Sequence, residues 1–188
     1  MRSNFFVITG PSGVGKDSVI TSLKKKMPQL VSVITTTTRE MRDGETQGNP
    51  YKFISREEFE SKIKKNDFLE WANVYGNLYG SEFTEIERVK ALEMPALFKI
   101  DIQGARALKK NIDGIFVIFI APQDQETLAR WVYGRGKDPL IDMARRIETA
   151  KHELADISEW DAVVVNEENK LEQTVEKVYE VMKSIINQ

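Results

Sequence analysis

The sequence predicts an α/β fold with a central parallel sheet covered by helices. Three observations lead there. Short apolar runs of strand length alternate with segments of helical spacing at the start of the chain and through its second half. The first apolar run passes directly into a glycine-rich loop and then a helix. Between Tyr51 and Tyr79 the alternation breaks into short strands with one helix, the pattern of an inserted subdomain.

The elements are read in chain order. Phe5-Phe6-Val7-Ile8-Thr9 suits a strand buried on both faces. Asp17 to Met27 follows as a helix, with Val19, Ile20 and Leu23 at helical spacing and Pro28 as its stop. Leu30 to Thr36 is β-branched and expected as one strand, and Arg39 to Pro50 as a polar loop. Tyr51 to Ile54 is a short strand, and Ser55 caps a helix from Arg56 to Lys65, with Glu58 completing a capping box. Phe68 to Tyr79 reads as a hairpin turning at Gly76-Asn77. Phe83 to Leu92 is helical, Ala96 to Ile100 a strand, Gln103 to Lys110 a helix, and Ile115 to Ile120 the most apolar strand. A helix from Gln123 to Tyr133 breaks at Gly134-Arg135-Gly136. A long helix (Asp142 to Ile157), a strand (Ala162 to Val165) and a final helix (Lys170 to Ile186) complete the chain.

Composition narrows the function. The 188 residues fit one domain, 1–188, and a net charge of -2 gives no global field for nucleic acid. There is no cysteine and one histidine, which excludes disulfides, thiolate metal sites and multi-histidine sites. No apolar run approaches the roughly 20 residues that cross a bilayer. The apolar stretch after Met1-Arg2-Ser3-Asn4 is too short for a signal peptide, so a cytoplasmic protein is expected, with no membrane partner. His152 is expected to be exposed, Lys24-Lys25-Lys26 and Lys109-Lys110 solvated, and Trp71 and Trp160 in the core.

The chemistry starts at Gly10-Pro11-Ser12-Gly13-Val14-Gly15-Lys16. Glycines let the backbone wrap a phosphate with its N–H groups inward, the helix N-terminus adds partial positive charge, and Lys16 adds a full one. Between a strand and a helix, this spacing marks a nucleoside triphosphate site. The next residue is normally Ser or Thr, whose hydroxyl ligates Mg²⁺. Here it is Asp17, followed by Ser18. A carboxylate ligates Mg²⁺ or merely favours the helix N-terminus, and both readings stand. Arg39 and Arg42 lie three apart in a loop, with Tyr51 and Tyr79 near in sequence, a set that suits a second phosphate.

At this point the chain resembles the guanylate kinase family of P-loop nucleoside monophosphate kinases, almost end to end. The segments that carry the resemblance are the phosphate loop, Thr37-Thr38-Arg39-x-x-Arg42-x-Gly44-Glu45-x-x-Gly48-x-x-Tyr51-x-Phe53, Phe68-Leu69-Glu70-Trp71-Ala72, Gly76-Asn77-Leu78-Tyr79-Gly80-Ser81, Ile100-Asp101-Ile102-Gln103-Gly104, Gly134-Arg135-Gly136, Arg146 and Val164-Val165-Asn166. The resemblance implies a three-layer P-loop kinase fold. Its core would be about 1–34, 84–123 and 157–188, its GMP-binding insertion about 35–83 and its helical lid about 124–156. It implies ATP-dependent phosphorylation of GMP and dGMP to GDP products, with Mg²⁺, by a monomer or homodimer. ATP would lie on Gly10 to Lys16 with Asp17 and Ser18, Asp17 being the metal ligand, and Asn166 would help hold adenine. Arg39, Arg42, Tyr51 and Tyr79 would hold the GMP phosphate. Glu70 would accept from guanine N1–H and the exocyclic amine, with Thr35, Ser81 and Asp101 at the same edge. Lys16, Arg39, Arg42, Arg135 and Arg146 would serve the transfer.

The chain departs from the family at three places. Where the family has Asp-Ile-Asp, this chain has Lys99-Ile100-Asp101. Together with Asp17 this suggests that a Ser–Asp pair has become an Asp–Lys pair, forming a salt bridge under the phosphates with local charge kept. Trp131 stands where the family tends to place Arg, and Arg130 is offset from it by about 100° around the helix. The segment Lys137-Asp138-Pro139-Leu140-Ile141 is more apolar than is usual. Two other functions remain in view: a kinase of another phosphorylated small molecule, such as a ribose bisphosphate, and a guanylate-kinase-like binding domain with weak or no catalysis.

Overall fold

A computed structural model describes residues 4–134, 140–155 and 157–187. Among them lie nine strands and seven helices. The main sheet contains β1 (Phe5–Thr9), β2 (Val31–Ser32), β7 (Ala96–Lys99), β8 (Phe116–Pro122) and β9 (Ala162–Asn166). Its order is β2-β7-β1-β8-β9 and every pairing is parallel. Parallel strands need helical crossovers, and those helices bury both faces of the sheet. Alternation along β1 divides the core accordingly. Phe6 and Ile8 face α1 (Lys16–Lys26), α5 (Gln125–Gly134), α6 (Leu140–Ala155) and α7 (Leu171–Ile186). Val7 faces the side of α3 (Phe83–Lys90) and α4 (Ile102–Asn111), where Phe119 stacks on Trp160 with ring centroids 5.8 Å apart.

Residues 35–82 carry a second sheet, with β3 (Thr35–Thr37), β4 (Tyr51–Phe53), β5 (Phe68–Val74) and β6 (Asn77–Glu82) in the order β4-β3-β6-β5. Beside it lies α2 (Arg56–Lys64), whose N-cap Ser55 accepts from the Glu58 N–H as the sequence predicts. Phe59, Phe68 and Leu78 form a small core of their own. Glu82 ties β6 to β3 and β4, accepting from Thr36 Oγ1 at 2.6 Å and from Lys52 and Lys62 at 2.9 and 2.8 Å.

Four expectations are corrected. The strand expected over Leu30–Thr36 is two strands in two sheets, because Val31–Ser32 pairs with β7 while Thr35–Thr37 pairs with β4 and β6. The hairpin turns at Tyr75-Gly76, with φ 49° and 86°, rather than at Gly76-Asn77. Two left-handed residues match the twist of a two-residue hairpin, and Asn77 is thereby released to pair with Val74. Trp71 is half exposed, since strand alternation turns it away from the face that buries Glu70 and Ala72. Lys26 is paired with Glu176, and Lys109 binds Asp161 at 2.8 Å and the Glu159 carbonyl at 2.7 Å, so neither is simply solvated. Trp160 is buried, and His152 is exposed, as expected.

Candidate active site

The main sheet gathers its chemistry at the carboxyl ends of its strands, the usual ligand edge of an open parallel sheet. The phosphate loop leaves β1 there. Gly10 has φ 140°, and a Cβ would lie 2.3 Å from the Ile120 carbonyl oxygen, so only glycine passes β8 at this point. Gly15 has φ 94° against the Asn166 amide, where a Cβ would lie 2.7 Å from Nδ2. Lys16 folds back over the loop, donating to the carbonyls of Gly10 and Pro11 at 2.5 and 2.9 Å. Burial lowers its pKa to about 8, against the opposing pull of Asp17 and Glu153. Val14 turns inward into the core, while Ser18 is exposed on α1.

A cavity of about 460 Å³ opens beside the loop. Gly10, Ser12, Gly13, Gly15, Lys16 and Asp17 form one wall. Thr35, Arg39, Arg42, Tyr51, Glu70 and Tyr79 approach it from the second sheet and the loop after β3. Asp101, Arg146 and Glu153 complete it. Positions separated by up to 143 residues in sequence, from Gly10 to Glu153, thus share one space.

The second wall is pre-ordered. Arg39 Nη2 binds both oxygens of Glu45 at 2.7 and 2.9 Å, and the Arg42 N–H donates to Glu45 Oε2 at 2.8 Å. The Arg39 guanidinium lies 5.5 Å from the Tyr51 ring centroid, and the Tyr51 and Tyr79 rings meet edge to face at 5.8 Å. Deeper in, Glu70 is only 7% exposed. Ser81 Oγ donates to its Oε1 at 2.7 Å. Burial raises the Glu70 pKa to about 7, with the Asp101 charge acting in the same direction and the Ser81 hydrogen bond against it. Asp101 caps α4, accepting from the N–H groups of Gly104 and Gln103 at 3.1 and 3.3 Å. Burial raises its pKa too, against those two hydrogen bonds.

Two residues expected to touch ligand are committed elsewhere. Asn166 is buried with both ends of its amide engaged: Nδ2 donates to the Val14 carbonyl, and Oδ1 accepts from Thr174 Oγ1, each at 2.9 Å. It clamps the phosphate loop to β9 and α7 and does not line the cavity. Ser81 is fully buried behind Glu70 and does not line the cavity. Arg146 does line it, with its guanidinium 5.4 Å from the Tyr75 ring centroid. Arg135 lies outside the described residues, as does the Lys137–Pro139 part of the apolar segment. Arg130 pairs with Glu168 at 3.0 Å and does not line the cavity, and Trp131 packs on the core.

The expected ion pair is present. Lys99 Nζ donates to Asp17 Oδ1 at 2.7 Å. The register explains it: Lys99 ends β7 directly beside Ile8 of β1, two residues before the loop. Local charge is not kept, however. A hydroxyl and a carboxylate sum to one negative charge, whereas Asp17 and Lys99 sum to zero.

Sequence reasoning gave no role to Glu45 or Glu153. Glu153 lies about two helical turns beyond Arg146 and so faces the same way. Its burial raises its pKa, with Lys16 opposing. The seven-residue spacing is a signal that was available in the sequence.

The comparisons with known proteins agree with this architecture. Residues 2–185 match the family described as guanylate kinase. The chain is 38% identical over 184 residues to the guanylate kinase of Thermotoga maritima, covering 98% of this chain and 88% of that protein. It is 40% identical over 161 residues to that of Prochlorococcus marinus, covering 86% and 85%. The crystal structure of guanylate kinase from Anaplasma phagocytophilum superimposes with a TM-score of 0.77 at 27% identity, covering 97% of this chain and 86% of that one. With a phosphate loop, a paired-arginine wall and a buried carboxylate in one cavity, and these relatives over nearly its whole length, the chain belongs to the guanylate kinase family.

Proposed function

We propose that this protein transfers the γ-phosphoryl group of ATP to GMP or dGMP, giving ADP and GDP or dGDP. The observation that carries the reading is the shared cavity: a triphosphate loop on one wall, Arg39, Arg42, Tyr51 and Tyr79 opposite, and Glu70 at depth. ATP phosphates would take the loop N–H groups and draw Lys16 from the Gly10 and Pro11 carbonyls. The GMP phosphate would rest against the arginine and tyrosine wall, with Glu45 holding Arg39 in place. Glu70 would accept from guanine N1–H and the exocyclic amine, with Thr35 and Asp101 alongside and Ser81 steadying Glu70 from behind. Adenine presents an acceptor at N1, so its phosphate ester would leave Glu70 unpaired.

An oxygen of the GMP phosphate then attacks the γ-phosphorus in line. The new P–O bond forms as the bond to the β,γ-bridging oxygen breaks, and the electron pair leaves on ADP. Alignment and charge neutralisation suffice for this chemistry. In this reading residues 35–83 are the GMP-binding part and 124–156 a lid. Arg146 would come from the lid onto the moving group, and Arg135 is proposed for the same work. Water must be excluded, or ATP is hydrolysed instead. Mg²⁺ fits poorly as a protein-held ion. The carboxylate beside the loop, Asp17, already binds an ammonium, and both Asp101 oxygens accept helix N–H groups.

An ADP-release assay against GMP, dGMP, AMP and ribose phosphates tests the reading. Turnover confined to GMP and dGMP is expected. Preference for a ribose phosphate would favour the second kind of kinase, and tight GMP binding without turnover would favour the binding domain.

A further inference from the structure

Lys99 stands where the two walls meet. On one side its ammonium holds Asp17 Oδ1 at 2.7 Å. On the other it lies 4.7 Å from the ring centroid of Tyr51. Tyr51 belongs to the wall that carries Arg39 and Arg42, and Asp17 follows the loop lysine directly. Lys99 lines the cavity, and its side chain is only 22% exposed. Lys16 senses its charge from the loop side. The ammonium is thus held at both edges of the space between the two phosphate positions.

Its state suits that position. Burial works against the charged form, but Tyr51 and Asp17 outweigh it and keep its pKa above the ordinary lysine value. The pair itself adds little stability, because Asp17 is 69% exposed. What it does is hold one of the longest and most mobile side chains in one place. A Mg²⁺ ion ligated by Asp17 would share a carboxylate whose charge this ammonium already neutralises.

We propose that Lys99 contacts the phosphoryl group in transit between the two nucleotides, and that Asp17 positions Lys99 instead of ligating a metal ion. The cation at this point is then part of the chain. The inference rests on the phosphotransfer reading for the identity of the acceptor. Its core, an ammonium on the ATP phosphates, is separable from that.

The test is calorimetric titration of ATP, with EDTA and then with Mg²⁺, and of GMP in parallel. The wild-type protein is expected to bind metal-free ATP. Lys99→Met should weaken that binding by about tenfold or more, the loss of a charged hydrogen bond. Lys99→Arg should recover most of it. Asp17→Asn should leave the gain from added Mg²⁺ unchanged within about threefold, as a residue that is not a metal ligand would. Unchanged metal-free affinity in Lys99→Met overturns the proposal. So does loss of the Mg²⁺ gain in Asp17→Asn. If Lys99→Met fails to fold, the double variant Asp17→Asn with Lys99→Met removes both charges together and is judged by the same metal-free titration. Wild-type protein that binds ATP but not GMP refutes the GMP reading and leaves Lys99 standing.

Discussion

Glu70 is a buried carboxylate, and this makes its energetic cost measurable. The side chain is 7% exposed, and its pKa is raised from 4.5 to about 7. The groups facing it are the Ser81 hydroxyl, which favours the ionised form, and the Asp101 carboxylate, which opposes it. The sign follows directly. Between the unfolded value near 4.5 and the folded value near 7, the folded protein binds a proton that the unfolded chain releases. Stability therefore falls as pH rises through that window, and the full penalty is present above it. The shift corresponds to about 3 kcal/mol. Glu70→Gln keeps the shape, still accepts from Ser81 and has nothing to ionise. In denaturant unfolding without ligand, the variant should be more stable than wild type by about 3 kcal/mol at pH 8, with most of that gain lost at pH 5. A gain of the same size at both pH values, or none at pH 8, would refute the reasoning. GMP affinity should move oppositely, falling sharply in the Gln variant because an amide cannot accept from both guanine donors in the plane of one carboxylate.

Three further outcomes are expected. Arg39→Ala removes a charged donor and leaves Glu45 without its guanidinium, so the GMP KM should rise by about 10- to 100-fold in steady-state assays while the ATP KM stays near the wild-type value. Asn166→Ala strips a buried partner from the Val14 carbonyl and the Thr174 hydroxyl. It should cost about 1–3 kcal/mol in chemical denaturation and weaken ATP binding through the loop. Gly10→Ala places a methyl 2.3 Å from the Ile120 carbonyl oxygen at φ 140°. ATP binding by calorimetry should be lost even where circular dichroism reports a folded chain.

How much of this was legible depended on the range of the signal. The phosphate loop is local: glycine spacing, a preceding apolar strand and a following helix are all contiguous. Four of the five parallel strands, β1, β7, β8 and β9, were legible for the same reason, each being a short apolar run. The Asp17–Lys99 pair was legible because two departures from one family pattern pointed at each other across β1 and β7. Side-chain direction was less legible. Asn166 and Ser81 sit in motif positions, yet the strand faces on which they lie turn them toward Val14 and Glu70, behind the cavity wall. Trp71 was misread because strand alternation, and not size, decides which side chain is buried. The split of Leu30–Thr36 between two sheets was not legible either. Its β-branched residues suit either sheet, and partners distant in sequence determine the pairing.

The most direct test of the central claim is the initial rate of ADP formation from ATP with GMP and with AMP as acceptors. The account predicts turnover of GMP, with a kcat/KM over AMP of about 10⁴ or more, as expected where a buried group is left unpaired by the wrong base. Equal rates with the two acceptors, or no ADP formed with GMP, would contradict it.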